Sequence, residues 1–124
     1  MAEGFKPTAE SPRVTKLKKQ IGNSKDPDTI MMAIMEIFND TEFIPDVGMY
    51  CTFIYNPQTD SITYDEYPLV AVTDLFRWGF RGINFHWEEI RQYTWEEITG
   101  TLHVVNKNEI SYLRSLKYGK IRTK

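Results

Sequence analysis

Cysteine is almost missing from this chain: Cys51 is the single thiol in 124 residues, so no disulfide within the chain can brace the fold. It lies in the apolar run Met49-Tyr50-Cys51-Thr52-Phe53-Ile54-Tyr55, with no local base to activate it, and reads as a buried structural thiol. Histidine is nearly as scarce. His86 and His103 are the only two, and they lack the i, i+4 spacing of a helical zinc site. With the one thiol on a separate segment no metal site is expected, and His86 reads as a hydrogen-bonded strand residue. Glycine is too sparse for a phosphate loop, since Gly79-Phe80-Arg81-Gly82 also lacks the lysine such a loop needs. No serine elbow is present either. No apolar run approaches the length of a bilayer span, and Met1-Ala2-Glu3-Gly4-Phe5-Lys6-Pro7 has no apolar secretion core. The expectation is a chain that folds in a reducing cytoplasm. The acidic pairs Asp65-Glu66, Glu88-Glu89 and Glu96-Glu97 would give acid–base chemistry only if one member were buried. Adjacent acids on a helix point to different faces, so a solvated surface is the reading. No catalytic residue and no cofactor is therefore expected.

What is present suffices for one domain. Hydrophobic residues make up 41% of the chain and aromatics 14%, enough to build a core and too much for wholesale disorder. The net charge of −2 hides a strong asymmetry. Residues 1–35 carry six basic and four acidic side chains, residues 36–97 three and twelve, and residues 98–124 six and one. A basic end beside an acidic body suits docking on an acidic surface: nucleic acid, a neighbouring subunit, or the body of another copy.

Along the chain, residues 1–13 mix Gly4, Pro7, Ser11 and Pro12 with charges and read as a flexible arm. Residues 14–124 form a single domain. Helices are expected over 14–40. Val14, Leu17 and Ile21 recur at helical spacing, Gly22-Asn23 stops the helix, and Asp26-Pro27-Asp28 starts the next. A β-rich core follows over 47–87. Met49–Tyr55 and Ser61–Tyr64 flank the turn Asn56–Asp60 and are expected to pair as a hairpin. Tyr67–Val72 and Phe80–Trp87 supply further strands, with Asp74–Trp78 as loop. Residues 88–116 read as helical or mixed. Trp87–Ile98 is expected as helix, with Thr94-Trp95-Glu96-Glu97 as a capping box. Thr101–Val105 is a fifth strand, Asn108 caps a short helix to Leu116, and residues 117–124 form a basic tail. Four short strands within about forty residues bury a face only by curling. The fold class expected is α+β: a small SH3-like β-barrel or curled antiparallel sheet flanked by helices, with extended termini.

Two groups of residues are candidates for contact with partners. The run Ile30–Phe38 is apolar almost all round, which fits either a core helix or a docking helix for another chain. Met31, Met32, Met35 and Phe38 would supply its adaptable surface. In the tail, Arg114, Lys117, Lys120 and Arg122 alternate with aromatic and aliphatic residues and suit an acidic protein surface. For nucleic acid the groove candidates are Arg77, Trp78 and Arg81, stacking and charge together. The acidic balance of residues 36–97 opposes a phosphate backbone.

The segment Tyr64-Asp65-Glu66-Tyr67-Pro68-Leu69-Val70, followed by Gly79-Phe80-Arg81-Gly82-Ile83-Asn84-Phe85-His86, resembles the core of a group of small proteins of contractile-tailed, T4-like and cyanophage-type bacteriophages. In that group a Tyr-Asp-x-x-Pro-Leu-Val run precedes a Gly-Phe-x-Gly-x-Asn-x-His run, and Met49–Tyr55 with Asn56-Pro57 matches the strand and turn before them. The resemblance covers about residues 47–90. Such relatives follow the histidine with a Tyr-Leu-Pro-Pro-like run, where this chain has Trp87-Glu88-Glu89-Ile90-Arg91, so its flanks are expected to meet different partners. The resemblance implies a virion structural or assembly protein, in the tail or baseplate region, assembled in the host cytoplasm and present in several copies. It would act by protein–protein contacts with other virion proteins, without a membrane. A DNA-end or head-completion role as a nucleic-acid-binding barrel is the alternative. No catalytic residue, cofactor or metal is implied.

Overall fold

Two capping signals set the helices at the start of the chain. The Ser11 hydroxyl accepts from the Arg13 amide at 3.2 Å, and Pro12 opens helix α1 (Pro12–Ile21), which buries Val14, Leu17 and Ile21. A first-turn proline costs nothing, because its missing N–H would have had no partner there. Asp26 repeats the device, accepting from the Thr29 amide at 3.2 Å and the Thr29 hydroxyl at 2.7 Å, ahead of α2 (Pro27–Ile37). The structure, a computed structural model, describes residues 10–58 and 63–123. The arm read over 1–13 thus lies largely outside the described residues, and its last residues, Ser11 and Arg13, are anchored.

The remaining elements are β1 (Thr41–Glu42), β2 (Tyr50–Tyr55), β3 (Thr63–Asp65), β4 (Leu69–Leu75), β5 (Gly79–Asn84), β6 (Glu89–Thr94), a 3-10 turn at Trp95–Glu97, β7 (Ile98–Val105), α3 (Lys107–Ser115) and β8 (Ile121–Thr123). Six strands form one antiparallel sheet in the order β1-β7-β2-β4-β5-β6, and β3 pairs with β8 in a separate ribbon. The fold class is α+β. Among the described residues no helix is long and apolar enough to cross a membrane.

The sheet separates two cores. On one face α1, α2 and α3 pack with Leu69, Val105 and Tyr118. On the other, Cys51, Phe53, Val70, Val72, Phe80, Tyr93 and Leu102 bury one another, and among the described residues no α-helix lies over them, only Trp95 of the 3-10 turn packing alongside. That is achieved by curling. Strands β2 and β6 stand three positions apart, about 14 Å in a flat sheet, yet the Phe53 and Tyr93 rings are 5.3 Å apart. Register shifts between Thr52 and Ile54 and between Val72 and Asp74 mark the bulges that bend the strands. Glycine permits the closest approaches: a Cβ at Gly82 would meet Ala71 O at 2.6 Å, and one at Gly79 would meet Thr94 Cα at 2.7 Å. The antiparallel sheet flanked by helices is as expected, but among the described residues β1 and β6 stay unpaired to each other, so no barrel closes.

Four local expectations are corrected. Met49–Tyr55 does not pair with the following strand: β2 pairs with β4 and β7, and β3 with β8. Turn residues bring two segments close, but each segment's partner is chosen by the apolar face it must bury. Glu89–Thr94 is strand, not helix, because the open edge of β5 pairs with it from Gly79↔Thr94 to Asn84↔Glu89. Ile90 and Tyr93, which share a face in a helix, point oppositely here, 63% and 2% exposed. Thr94 makes no capping bond to the backbone; its hydroxyl donates to Glu97 at 2.6 Å. The cap of α3 is Asn106, in a capping box with Glu109, and not Asn108. Finally, residues 117–123 are no free tail. Tyr118 is fully buried, and β8 is paired.

Candidate interaction surface

Asn84 organises the buried polar groups. At the end of β5 its amide nitrogen donates to Asp65 Oδ2 at 3.2 Å and to the Tyr93 hydroxyl at 2.9 Å. Its carbonyl oxygen accepts from the backbone amides of His86 at 2.8 Å and Trp87 at 3.0 Å. Trp87 Nε1 donates to Asp65 Oδ1. The Asp65 carboxylate is thus held by Trp87 and Asn84, with His86 Nδ1 3.3 Å away at ion-pair distance. The His86 ring makes no hydrogen bond with either nitrogen. It packs edge-on against Tyr118 at 5.2 Å, so the expected hydrogen-bonded strand histidine is instead a turn residue bonded only through its backbone. Together these bonds tie the turn after β5 to β3 and β6.

This constellation has no room for a substrate. The hollow beside it, lined by Tyr55, Tyr64, Asp65, Asn84, Arg91 and Tyr93, measures about 60 Å³, the space of about two waters. Burial pushes the Tyr93 and Tyr118 hydroxyls well above the usual tyrosine range, and both stay neutral, Tyr93 accepting from Asn84 and Tyr118 donating to Thr52. Burial likewise raises the Cys51 thiol to about 12, so it carries no thiolate at neutral pH. Among the described residues no group of three or more His, Cys, Asp or Glu side chains is placed to hold a metal ion.

A second buried charge clasps the two ends of the helical layer. Glu109, with no side-chain exposure, binds Arg13 through Nη2 at 2.7 Å and Nε at 3.0 Å. It also accepts from the Ser11 hydroxyl and, at 2.7 Å, from the Asn106 amide. Burial alone would raise its pKa, but the bonds from Arg13, Ser11 and Asn106 outweigh burial and hold it below the usual value. The Arg13 guanidinium also covers the Phe38 ring at 4.4 Å.

The proposed docking face of α2 is mostly core, a correction with a plain cause: the helix lies between α1 and the sheet. Met31 is 1% exposed and Phe38 fully buried, while Met35 is half-buried and Met32 alone projects, 71% exposed. Of the basic candidates, Lys117 and Lys120 are exposed, Arg114 pairs with Glu88, and Arg122 pairs with Glu66 at 2.7 Å. Trp78 stacks on Phe76 at 4.9 Å and an interplanar angle of 5°. Arg81 lies 4.0 Å from Asp74 and over the Phe76 ring, and its Nε makes no hydrogen bond. Arg77 is exposed, and its carbonyl accepts from Trp95 Nε1 at 2.9 Å.

One group of exposed apolar side chains lies where the sequence reading did not look. Phe43, Ile44 and Val47 are 80%, 65% and 60% exposed, directly after β1. With Trp95, Ile98 and Gly100, Phe43 and Ile44 line a hollow of about 260 Å³. Every charge in residues 39–49 and 95–101 is negative: Asp40, Glu42, Asp46, Glu96 and Glu97. The available signal was Phe43-Ile44 standing between two acids in a segment too short and polar to be a core element. No family model, curated protein or solved structure matches the chain.

Proposed function

We propose that this chain is a structural or assembly subunit of a contractile-tailed bacteriophage particle, in the tail or baseplate region, acting by protein–protein contacts. The observation that carries the reading is the apolar surface at Phe43, Ile44 and Val47, in a molecule whose buried carboxylates, Asp65 and Glu109, are engaged in holding turns and helices together. Apolar side chains so exposed, two of them sharing one hollow, mark contact surfaces. The phage-like pattern over Tyr64–Val70 and Gly79–His86 supports the same reading, because its polar members build a scaffold rather than a site. The finer fold reading, an SH3-like barrel, is supported by the pairing of β2 with β7 after the chain has passed through β4, β5, β6 and one 3-10 turn. The test is quantitative mass spectrometry of purified particles. The expected result is this chain at a fixed stoichiometry to the tail proteins; its presence only in the soluble lysate overturns the proposal.

One observation favours a second reading, a nucleic-acid-binding barrel with a DNA-end or head-completion role: the Phe76–Trp78 stack beside exposed Arg77. Bases stack on such platforms. Retention on DNA that falls steeply with salt would favour it, and no retention at low salt removes it.

A further inference from the structure

The sheet ends in an acidic, apolar edge, and the separate ribbon ends in a basic, apolar one. Strand β1 pairs only with β7, and β8 pairs only with β3, among the described residues. Each is therefore a short edge strand with one side unpaired among the described residues, which a foreign strand can extend. Beyond β1 stand Phe43 and Ile44 over the hollow shared with Trp95 and Ile98. On β8 the one exposed aliphatic is Ile121, 53% exposed, and it sits between Lys120 and Arg122, with Lys117 also exposed. The hollow of about 260 Å³ is large enough for an isoleucine side chain.

We infer that the occupant of the Phe43–Ile44 surface is a second copy of this chain, which lays β8 along β1 and sets Ile121 in the hollow. Charge decides between the arrangements. A two-fold contact of this surface with itself would bring Glu42 and Asp46 against their own copies, and like charges across an interface are strongly disfavoured. Meeting β8 instead brings Lys117 and Lys120 to those acids. The contact is then head-to-tail, which leaves one β1 edge and one β8 edge free at the ends of every chain of copies. Such contacts continue until they close into a ring or form a filament. The inference rests on the reading of the chain as a subunit that works by protein contacts, and names the partner.

The experiment is sedimentation of the purified full chain over a range of concentrations, at low and at moderate salt. The expected result is association beyond a dimer, weakened by salt. Phe43→Lys and Ile121→Glu alter exposed positions, and circular dichroism will verify that each is folded. Each is expected to weaken association roughly tenfold or more, as loss of an interface anchor does. Mixing them is the decisive arm: Phe43→Lys keeps an intact β8 and Ile121→Glu an intact β1 surface, so the mixture should form a one-to-one pair and stop there. Glu42→Lys and Lys120→Glu are each expected to weaken association alone, and their mixture, which restores opposite charges at every contact, should associate beyond a pair. A wild-type chain that stays monomeric throughout, association that ignores both substitutions, or a mixture that stays monomeric overturns the inference. None of these outcomes bears on whether the chain is found in particles.

Discussion

Asn84 uses its whole hydrogen-bonding capacity. An amide side chain offers two N–H donors and two lone pairs, and Asp65, Tyr93, His86 and Trp87 take all four. Removing it strands several groups at once, and a buried group left without its partner costs about 1–3 kcal/mol. Asn84→Ala is therefore expected to lower stability by about 3 kcal/mol in urea unfolding, and Asn84→Asp by a similar amount, because a carboxylate would face Asp65 where an N–H now donates. A loss below about 1 kcal/mol would mean that water already reaches the network. Glu109 makes a prediction in pH. Its folded pKa lies below the ordinary value, so its contribution is complete above the unfolded carboxyl value, about 4.3, and is lost as pH falls through the folded one. Stability measured from pH 6 down to pH 3 should fall, and Glu109→Gln should remove part of that fall at a cost of about 2 kcal/mol at neutral pH, the scale of hydrogen bonds to a charged group. An unchanged pH slope in the variant would place the acid sensitivity elsewhere.

Elements were legible in the sequence where local chemistry decides them. Asp26-Pro27 starts a helix because a cap and a first-turn proline act within three residues, and β2 and β7 follow from β-branched and aromatic runs; the same signal at Ser11-Pro12 was passed over and read as part of an arm. Pairing was not legible, because it depends on which faces remain to be buried. The hairpin expected after Tyr55 and the helix expected over Trp87–Ile98 both gave way to the demands of β7, β8 and the edge of β5. The interaction surface was hidden for the same reason: Phe43-Ile44 is an unremarkable dipeptide until β1 ends the sheet beside Trp95 and Ile98. The C-terminal segment illustrates the cost of reading charge before burial. Lys117, Lys120 and Arg122 suggest a tail, yet Tyr118 between them is fully buried and donates to the Thr52 hydroxyl at 3.2 Å. Tyr118→Phe should cost about 1 kcal/mol, one ordinary hydrogen bond, and Tyr118→Ala about 3–5 kcal/mol, as a buried aromatic does. A chain ending at Leu116 should lose at least as much as the alanine variant. A truncated chain as stable as the whole in chemical denaturation would return the segment to a dispensable tail.

At the scale of the molecule, the question is whether the helical layer and the curled sheet melt together. They share strands rather than merely touching. On β4, Leu69 belongs to the helix-side core and Val70 to the sheet-side core, and on β7 Val105 and Leu102 divide the same way. Losing the helices would expose one face of strands whose other face holds Phe53, Phe80 and Tyr93, and losing the curl would remove the floor under α2. The Glu109–Arg13 clasp joins α1 to α3 across most of the chain's length, so neither end of the helical layer can leave alone. A single cooperative transition is expected, as for most domains of this size. Far-ultraviolet circular dichroism reports α1, α2 and α3, while tryptophan fluorescence reports Trp87 in the Asn84 network and Trp95 beside Phe80, 5.7 Å away. The two midpoints in urea should coincide, and should move together in the Asn84→Ala and Glu109→Gln variants although one lesion is in the sheet and the other in the helices. Midpoints that separate, with the dichroism lost first, would show a helical layer able to leave a standing sheet, and the shared-strand argument would then fail.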